Sequence, residues 1–162
     1  MADFPEDFET YAGTRLFIGT RPATNDEAAW EGVTDWAEIT ITSVPNIQGR
    51  TYSTSTLPVV SRAFDQESKG SYTLGSVDFG IQWLPDQLGQ ERAMIASQDY
   101  SKPGFALVYQ SGDVSYFSGQ VMGMVETGGG ANDARAGTLT ILRKSDTINA
   151  LTPSVPVEDT TP

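Results

Sequence analysis

The sequence predicts a mainly β protein whose sheets each keep one polar face and are covered by a single helix. The first observation is the segment SVDFGIQW at 76–83, where apolar and polar residues alternate with the period of two that is typical of a half-buried strand. The second is residues 104–130, which predict two strands joined by a turn at Gly112 and Asp113. The third is the closing segment RAGTLTILRKS, in which leucine and isoleucine again alternate with threonine.

The composition favours a structural or binding role over catalysis. The 162 residues suffice for about one domain with an ordinary hydrophobic core. The chain contains no cysteine and no histidine, so the commonest nucleophile–base pairs and thiolate metal sites are excluded. Carboxylates, a serine–lysine pair or an oxygen-only metal site remain open to an enzyme. We expect no cofactor and no enzymatic activity.

The chain is strongly acidic. Its 21 acidic and 10 basic residues give a formal net charge of -11 at pH 7, which disfavours binding to nucleic acid through phosphate neutralisation. No run approaches the roughly 18 apolar residues of a membrane span, and the acidic N-terminus lacks the basic and then apolar pattern of a signal peptide. We therefore expect a soluble protein that is made in the cytoplasm and has no membrane partner.

The N-terminal part is predicted to contain an arm, a strand and a loop. Residues 1–13 are acidic and aromatic and are predicted as an arm, and the first strand follows at 14–20. Residues 20–35 are predicted as a loop with at most one short helical turn. Because Trp30 lies in this loop, it is a candidate interface residue.

The segment WAEITITSV at 36–44 is predicted as one continuous strand with a buried and a polar face. The strand at 76–83 and the closing strand have polar faces of the same kind. Taken together, the candidate residues on these polar faces are Glu38, Thr40, Thr42, Asp78, Gln82, Thr138 and Thr140.

Residues 45–75 are a long insertion rich in serine, threonine and glycine, with one apolar knot at 57–60 and Phe64. Connections longer than about 15 residues are uncommon in compact domains and are usually either functional or disordered. Charges of both signs beside the knot favour a loop or extended hairpin that becomes ordered against a partner, and a solvated loop is the alternative. The candidate contact residues are Leu57, Val59, Arg62, Phe64, Asp65, Glu67 and Lys69.

Residues 87–98 predict the one helix, which packs on the sheet by one stripe. The predicted sheet-facing residues are Leu88, Arg92 and Ile95, and the predicted outward residues are Gln90 and Glu91. Residues 148–162 contain three prolines and no periodicity, so they are predicted as a mobile tail. The predicted domain therefore spans 14–147.

Three further patterns have both a functional and a structural interpretation. The run Gly128–Gly130 is predicted as a hairpin tip and not a phosphate cradle, because no strand-to-helix junction follows it. Asp78 with Glu38 or Glu126 is a hydrolase-type carboxylate pair only if folding brings the groups within about 5–10 Å. The tryptophans and tyrosines form a sugar-stacking platform if they are exposed, and core or interface anchors if they are buried.

The order of these elements resembles that of the major tail tube proteins of long-tailed bacteriophages of the non-contractile, siphovirus type. The resemblance covers roughly residues 14–146. It is carried by WAEITITSV, the polar insertion after it, SVDFGIQWLPDQ running into QERAMIASQDYSKPG, the strand pair at 104–130 and the closing RAGTLTILRKSDTI.

This resemblance implies a rolled β-sandwich with barrel-like sheets and one flanking helix, whose copies form hexameric rings that stack head to tail into the tube of a virion tail. The polar strand faces become candidates for the lumen or the wall, and the acidic charge would let DNA pass through the lumen without specific binding. The insertion and the N-terminal arm would reach the next ring. The implied partners are further copies, a tape-measure protein, a baseplate hub and a tail terminator, with assembly in the host cytoplasm.

Two other classes of function remain open at this point. One is a β-sandwich module that binds a carbohydrate or a receptor, which would stay small and keep an aromatic groove. The other is a small hydrolase that uses carboxylates, in which replacing one particular acid would abolish activity without affecting folding.

Overall fold

The computed structural model describes residues 10–61 and 64–151, in which ten strands and two helices occur. In chain order they are β1 Arg15–Gly19, α1 Glu27–Glu31, β2 Ala37–Ile39, β3 Ile41–Ser43, β4 Thr51–Pro58, β5 Asp65–Thr73, β6 Ser76–Gln82, α2 Leu88–Gln98, β7 Gly104–Val108, β8 Val114–Thr127, β9 Ala136–Arg143 and β10 Ile148–Ala150. The prediction of a mainly β protein is confirmed.

The main sheet has the strand order β2-β1-β7-β8-β9-β6-β3, and β10 pairs with β8. The neighbouring strands along this path are antiparallel. Only Thr40 separates β2 from β3, so the first and last strands of the order are adjacent in the chain. The backbone N–H of Gln82 donates to the carbonyl of Thr40 at 3.1 Å and helps to close the roll. The sheet is therefore rolled and barrel-like, as expected.

The continuous strand predicted at 36–44 is instead two strands on different neighbours. β2 pairs with β1, whereas β3 pairs with β6. The break falls at Thr40, whose backbone N–H donates to Oε1 of Gln87 at 3.1 Å and whose hydroxyl accepts from Nε2 of the same side chain at 3.0 Å. Alternation of side chains continues through such a break, so the sequence pattern contained no sign of it.

One hydrophobic core fills the inside of the rolled sheet. It joins buried side chains from most strands with two alanines of α2. Its members include Leu16, Ile18, Ile39, Ile47, Phe79, Ile81, Ala93, Ala96, Phe105, Leu107, Phe117, Leu139 and Ile141. Close packing of these side chains is the main source of stability, because burying an aliphatic or aromatic side chain contributes about 1.5–3 kcal/mol.

A second core lies on the opposite face of β1, β7 and β8, where α1 covers the sheet. Trp30 is 1% exposed and stacks on Tyr116 at a centroid distance of 5.6 Å, with Trp36 at 6.3 Å from Trp30. The indole N–H of Trp30 donates to Oδ1 of Asn25 at 2.8 Å, so its polar atom is satisfied. The prediction of Trp30 as an interface residue is therefore wrong, because α1 places it in the core.

α1 begins at its N-cap Asp26, whose Oδ1 accepts from the backbone N–H of Ala29 at 2.8 Å. This hydrogen bond lowers the pKa of the Asp26 carboxyl, with the Thr24 hydroxyl adding to the effect. Capping of this kind compensates for a helix of only five residues, which is too short to be stable by itself.

The predicted helix at 87–98 is present, but its buried side differs from the predicted stripe. Ile95 is 57% exposed, whereas Gln90, predicted to face outward, is 1% exposed. The buried residues are Gly89, Gln90, Ala93 and Ala96. Small side chains let α2 lie directly on β2: a Cβ at Gly89 would be 2.2 Å from the carbonyl oxygen of Glu38. Gln90 is satisfied because it donates to Gln82 O at 2.6 Å and accepts from the backbone N–H of Leu84 at 2.9 Å.

The ordered domain extends beyond the predicted boundary at 147. Ile148–Ala150 form β10, which pairs antiparallel with Val114–Tyr116 of β8. Ala150 is 1% exposed and belongs to the second core. Residues 1–9 of the arm predicted at 1–13 and residues 152–162 of the tail predicted at 148–162 lie outside the described residues.

Candidate assembly surfaces

The insertion at 45–75 contains a long hairpin, made of β4 and β5, that leaves the rolled sheet. These two strands pair only with each other. At about 3.3 Å per residue, the eight residues of β4 span about 26 Å. Every residue of both strands is exposed except the partly buried Gly70. Within the described residues, the hairpin therefore lacks the covering layer that a sheet normally has. An isolated two-stranded hairpin of this kind is at best marginally stable in water.

The end of the hairpin exposes large apolar side chains. Leu57 is 62% exposed, Phe64 is 61% exposed and Val60 is fully exposed. We call these three residues the apolar tip. Val59 is partly buried, and Arg62 lies outside the described residues. Exposed apolar residues that cluster at the end of a polar hairpin are candidates for a contact site.

The register of the hairpin separates its side chains into two faces of different chemistry. A bulge between Tyr52 and Thr54 brings Lys69 onto the same face as Tyr72. The charged face consists of Tyr52, Thr54, Thr56, Pro58, Asp65, Glu67, Lys69 and Tyr72. The neutral face consists of Thr51, Ser53, Ser55, Leu57, Gln66, Ser68, Ser71 and Thr73. Of the predicted contact residues, Asp65, Glu67 and Lys69 thus lie together, and Leu57 lies on the other side.

Aromatic and cationic groups order the charged face near the hairpin's root. The rings of Tyr52 and Tyr72 are 5.5 Å apart, and Nζ of Lys69 lies 3.7 Å from the centroid of Tyr52. The guanidinium of Arg50 lies 4.2 Å from the centroid of Tyr72 and makes an ion pair with Asp146 at 2.5 Å. These cation–π contacts connect the charged face to the body of its own chain.

A buried arginine holds the two chain segments from which the hairpin departs. Nη1 of Arg143 donates to the carbonyl of Gly49 at 3.1 Å and to that of Leu74 at 3.2 Å. Arg143 is 5% exposed, and burial lowers its pKa from the ordinary value, although a guanidinium stays charged. Gly49 and Gly75, which bracket the hairpin, have φ values of 81° and 74°, a conformation that glycine adopts without strain.

A second surface is the exposed side of β6 and β9, which we call the sheet face. Asp78 lies opposite Thr140 and accepts a hydrogen bond from its hydroxyl at 2.7 Å. Thr138 lies opposite Gly80, and Gln82 continues the same face. Thr42 belongs beside them, because its Oγ1 lies 2.8 Å from where a Cβ of Gly80 would be. The structure thus brings together five of the seven predicted polar-face residues.

The other two predicted polar-face residues lie elsewhere. Glu38 is on β2 and forms a two-pronged ion pair with Arg15 at 2.8 and 2.9 Å. The Arg15 guanidinium lowers the pKa of the Glu38 carboxyl below its ordinary value. Thr40 occupies the break between β2 and β3, where Gln87 binds it. Neither residue extends the sheet face.

Both candidate carboxylate partners of Asp78 are engaged by arginines. Arg135 pairs with Glu126 at 2.5 Å and lowers the pKa of that carboxyl, as Arg15 does for Glu38, whereas a general acid needs a raised pKa. Across residues 10–61 and 64–151, no group of three or more Asp or Glu side chains could hold a metal ion. Trp30 and Trp36 are buried and offer no ring to a sugar.

No helix within the described ranges is long and apolar enough to cross a membrane.

Comparison with known proteins identifies the fold. No protein-family profile matches the sequence, and no curated protein matches it either. A chain from an extracellular contractile injection system, in a structure of the PVC sheath/tube terminator in the extended state, matches with a TM-score of 0.63 and 11% identity, covering 91% of this chain and 99% of that one. A chain from the six-fold symmetrised baseplate of the anti-feeding prophage matches with a TM-score of 0.58 and 9% identity, covering 92% and 97%.

A third match, at a TM-score of 0.48 and 11% identity, is to the SPP1 tail tube and covers 91% of this chain and 78% of that chain. The first two matches span nearly the whole of both chains, so this chain has the fold of proteins found in contractile injection systems. At such low identities, the likeness concerns the fold.

Proposed function

We propose that this chain is a structural subunit of a phage-type tail tube, whose copies form hexameric rings that stack head to tail. The observation that carries the proposal is a rolled, well-packed body from which a hairpin of seven residue pairs, about 26 Å long, projects with an apolar tip and exposed faces. Shared fold with contractile injection system chains, one of them in a six-fold symmetrised assembly, supports it.

The geometry of the hairpin supports stacking in one direction. A projecting element that binds a different surface of the next copy makes a heterologous contact, and such contacts generate rings or open filaments. The strand order begins and ends with the three-residue strands β2 and β3, and short edge strands limit uncontrolled edge pairing. Proteins that set tube length, such as a tape-measure protein, a baseplate hub and a terminator, are part of the proposal, as is assembly in the host cytoplasm into a virion tail.

The kind of particle is a separate question. The two matches with TM-scores above 0.5 come from contractile injection systems, whereas the sequence resemblance is to non-contractile tails. The siphovirus-type assignment therefore stays a prediction. The subunit role itself is tested by electron microscopy of the purified protein, in which rings or tubes are expected.

We further propose that the sheet face lines the channel. Among the side chains that β6 and β9 expose there, Asp78 is the only acid, and the others are hydroxyl, amide and small groups together with the partly buried Leu142. A lining of this kind presents few groups that bind phosphate, and each copy adds one negative charge that repels it. DNA would pass without specific binding.

Changing Asp78 to lysine tests the channel assignment. Tubes of Asp78→Lys are expected to assemble, because the side chain is exposed, but particles that contain them should release DNA several-fold more slowly, since about one phosphate contact per copy becomes favourable. Asp78→Asn is the matched control and should release DNA nearly normally. Unchanged release kinetics for Asp78→Lys would show that this face does not line the channel.

A further inference from the structure

We infer that the hairpin binds a second copy of this chain through its neutral face and apolar tip, while the charged face stays turned toward its own body or solvent. The inference rests on the proposed function and specifies the surface that makes the contact between copies. It follows from the register of β4 and β5, which sorts every ionisable residue of the two strands onto one side.

The charged face already has partners within its own chain. Lys69 lies over Tyr52, Tyr52 packs on Tyr72, and Arg50 connects Tyr72 to Asp146. Turning this face toward another molecule would break those contacts or bury them. It would also remove Asp65 and Glu67 from water, and burying an unpaired carboxylate is strongly unfavourable.

The neutral face has the opposite properties. Its members are serine, threonine, glutamine and leucine, and all are exposed. Leu57 belongs to it, and Phe64 lies two residues before Gln66, so alternation continued beyond the strand would add Phe64 to the same side. The neutral face therefore continues into Leu57 and Phe64 of the apolar tip as one uncharged surface, which can be buried without removing a charge from water.

The net charge of the chain determines which face of the hairpin a second copy can contact. Two copies of a protein with a net charge of -11 repel each other, so a contact between copies is favourable only where neither side presents uncompensated acids. Within the hairpin, the neutral face is the side that meets this condition. A basic partner would instead be attracted to Asp65 and Glu67 on the charged face.

Because the chain has no cysteine, single cysteines report each face separately. Ser55→Cys and Ser68→Cys place a thiol at directly opposed positions on the neutral face, and Thr54→Cys and Thr56→Cys are matched neighbours on the charged face. The rate of maleimide labelling is measured on dispersed and on assembled protein. We expect assembly to slow labelling about tenfold or more at Ser55 and Ser68, since interface cores exclude water, and less than about threefold at Thr54 and Thr56.

An added charge gives an independent readout. Ser55→Glu should raise the concentration needed for assembly by about tenfold or more, whereas Thr54→Glu should change it by less than about threefold, since only the former puts an acid into the contact. Both variants should keep the thermal midpoint of the parent, because both positions are exposed.

The outcomes separate the inference from the proposed function. Labelling protection confined to Ser55 and Ser68, with assembly sensitive to Ser55→Glu and not to Thr54→Glu, supports the neutral face as the contact. Assembly with protection on the charged face, on both faces or on neither overturns the inference and leaves the subunit role standing. Absence of any assembly under all conditions overturns the subunit role and the inference with it.

Discussion

Replacing residues 54–70 by Asn-Gly is expected to abolish tube formation while leaving the body folded. The replacement joins Ser53 to Ser71, which already lie side by side, through a dipeptide that favours a tight two-residue turn. It removes the apolar tip and most of both faces, and none of the removed residues belongs to either hydrophobic core. The root contacts of Arg143 to Gly49 and Leu74 are retained.

Stability and assembly are both measured for the shortened chain and for the parent. The thermal midpoint of the shortened chain should lie within a few degrees of that of the parent, because exposed residues contribute little to stability. The amide signals of residues outside the hairpin should be unchanged. Electron micrographs of concentrated protein should show no tubes. Normal long tubes from the shortened chain would show that the hairpin makes no essential contact.

Changing Arg143 to leucine is expected to lower the free energy of unfolding by about 3 kcal/mol, because the buried guanidinium makes three part-buried hydrogen bonds that leucine cannot replace. The carbonyls of Gly49 and Leu74 would lose their donor, and so would the hydroxyl of Thr147. The hairpin root would loosen at the same time, so amide exchange in β4 and β5 should accelerate.

Arg135→Leu is the matched control for this change. Arg135 precedes the same strand, but its side chain is 61% exposed and pairs with Glu126 at the surface. Exposed ion pairs contribute about 0–1 kcal/mol, so its loss should be small in urea unfolding. Equal losses for the two variants would contradict the role of Arg143 at the hairpin root.

Strand alternation made most of the sheet predictable. The apolar positions of β6 and β9, such as Phe79 and Leu139, are buried as the period of two predicts. The turn at Gly112 is also at its predicted position, and this glycine has a φ of 96°. These features depend on local pattern and backbone preference, which one sequence contains.

Features that depend on how closely a helix packs on the sheet were not predictable from the alternation of residues along a strand. The buried side of α2 is formed by Gly89 and alanines, because the helix lies directly on a strand, and small residues give no hydrophobic stripe to detect. Trp30 is in the core because a five-residue helix with an Asp26 cap forms there, and such short helices have almost no periodicity.

The candidate surfaces were predicted in part. Composition located the insertion and its apolar knot, but the separation into two faces depends on a bulge that shifts the register after Tyr52. Arg143 was missed, although the alternation of Leu139 and Ile141 continues onto it and puts its side chain on the buried face. The sign in the sequence was an arginine at a position where the alternation predicts a buried side chain.

Whether this chain builds rings and tubes is measured by electron microscopy of the purified protein over a range of protein and salt concentrations. For a tail-tube subunit we expect hollow rings at low concentration and stacked tubes at high concentration, with salt favouring assembly because it screens the repulsion between acidic copies. Separate copies at every concentration and salt, for a chain whose hairpin and body are both folded, would contradict the tail-tube role.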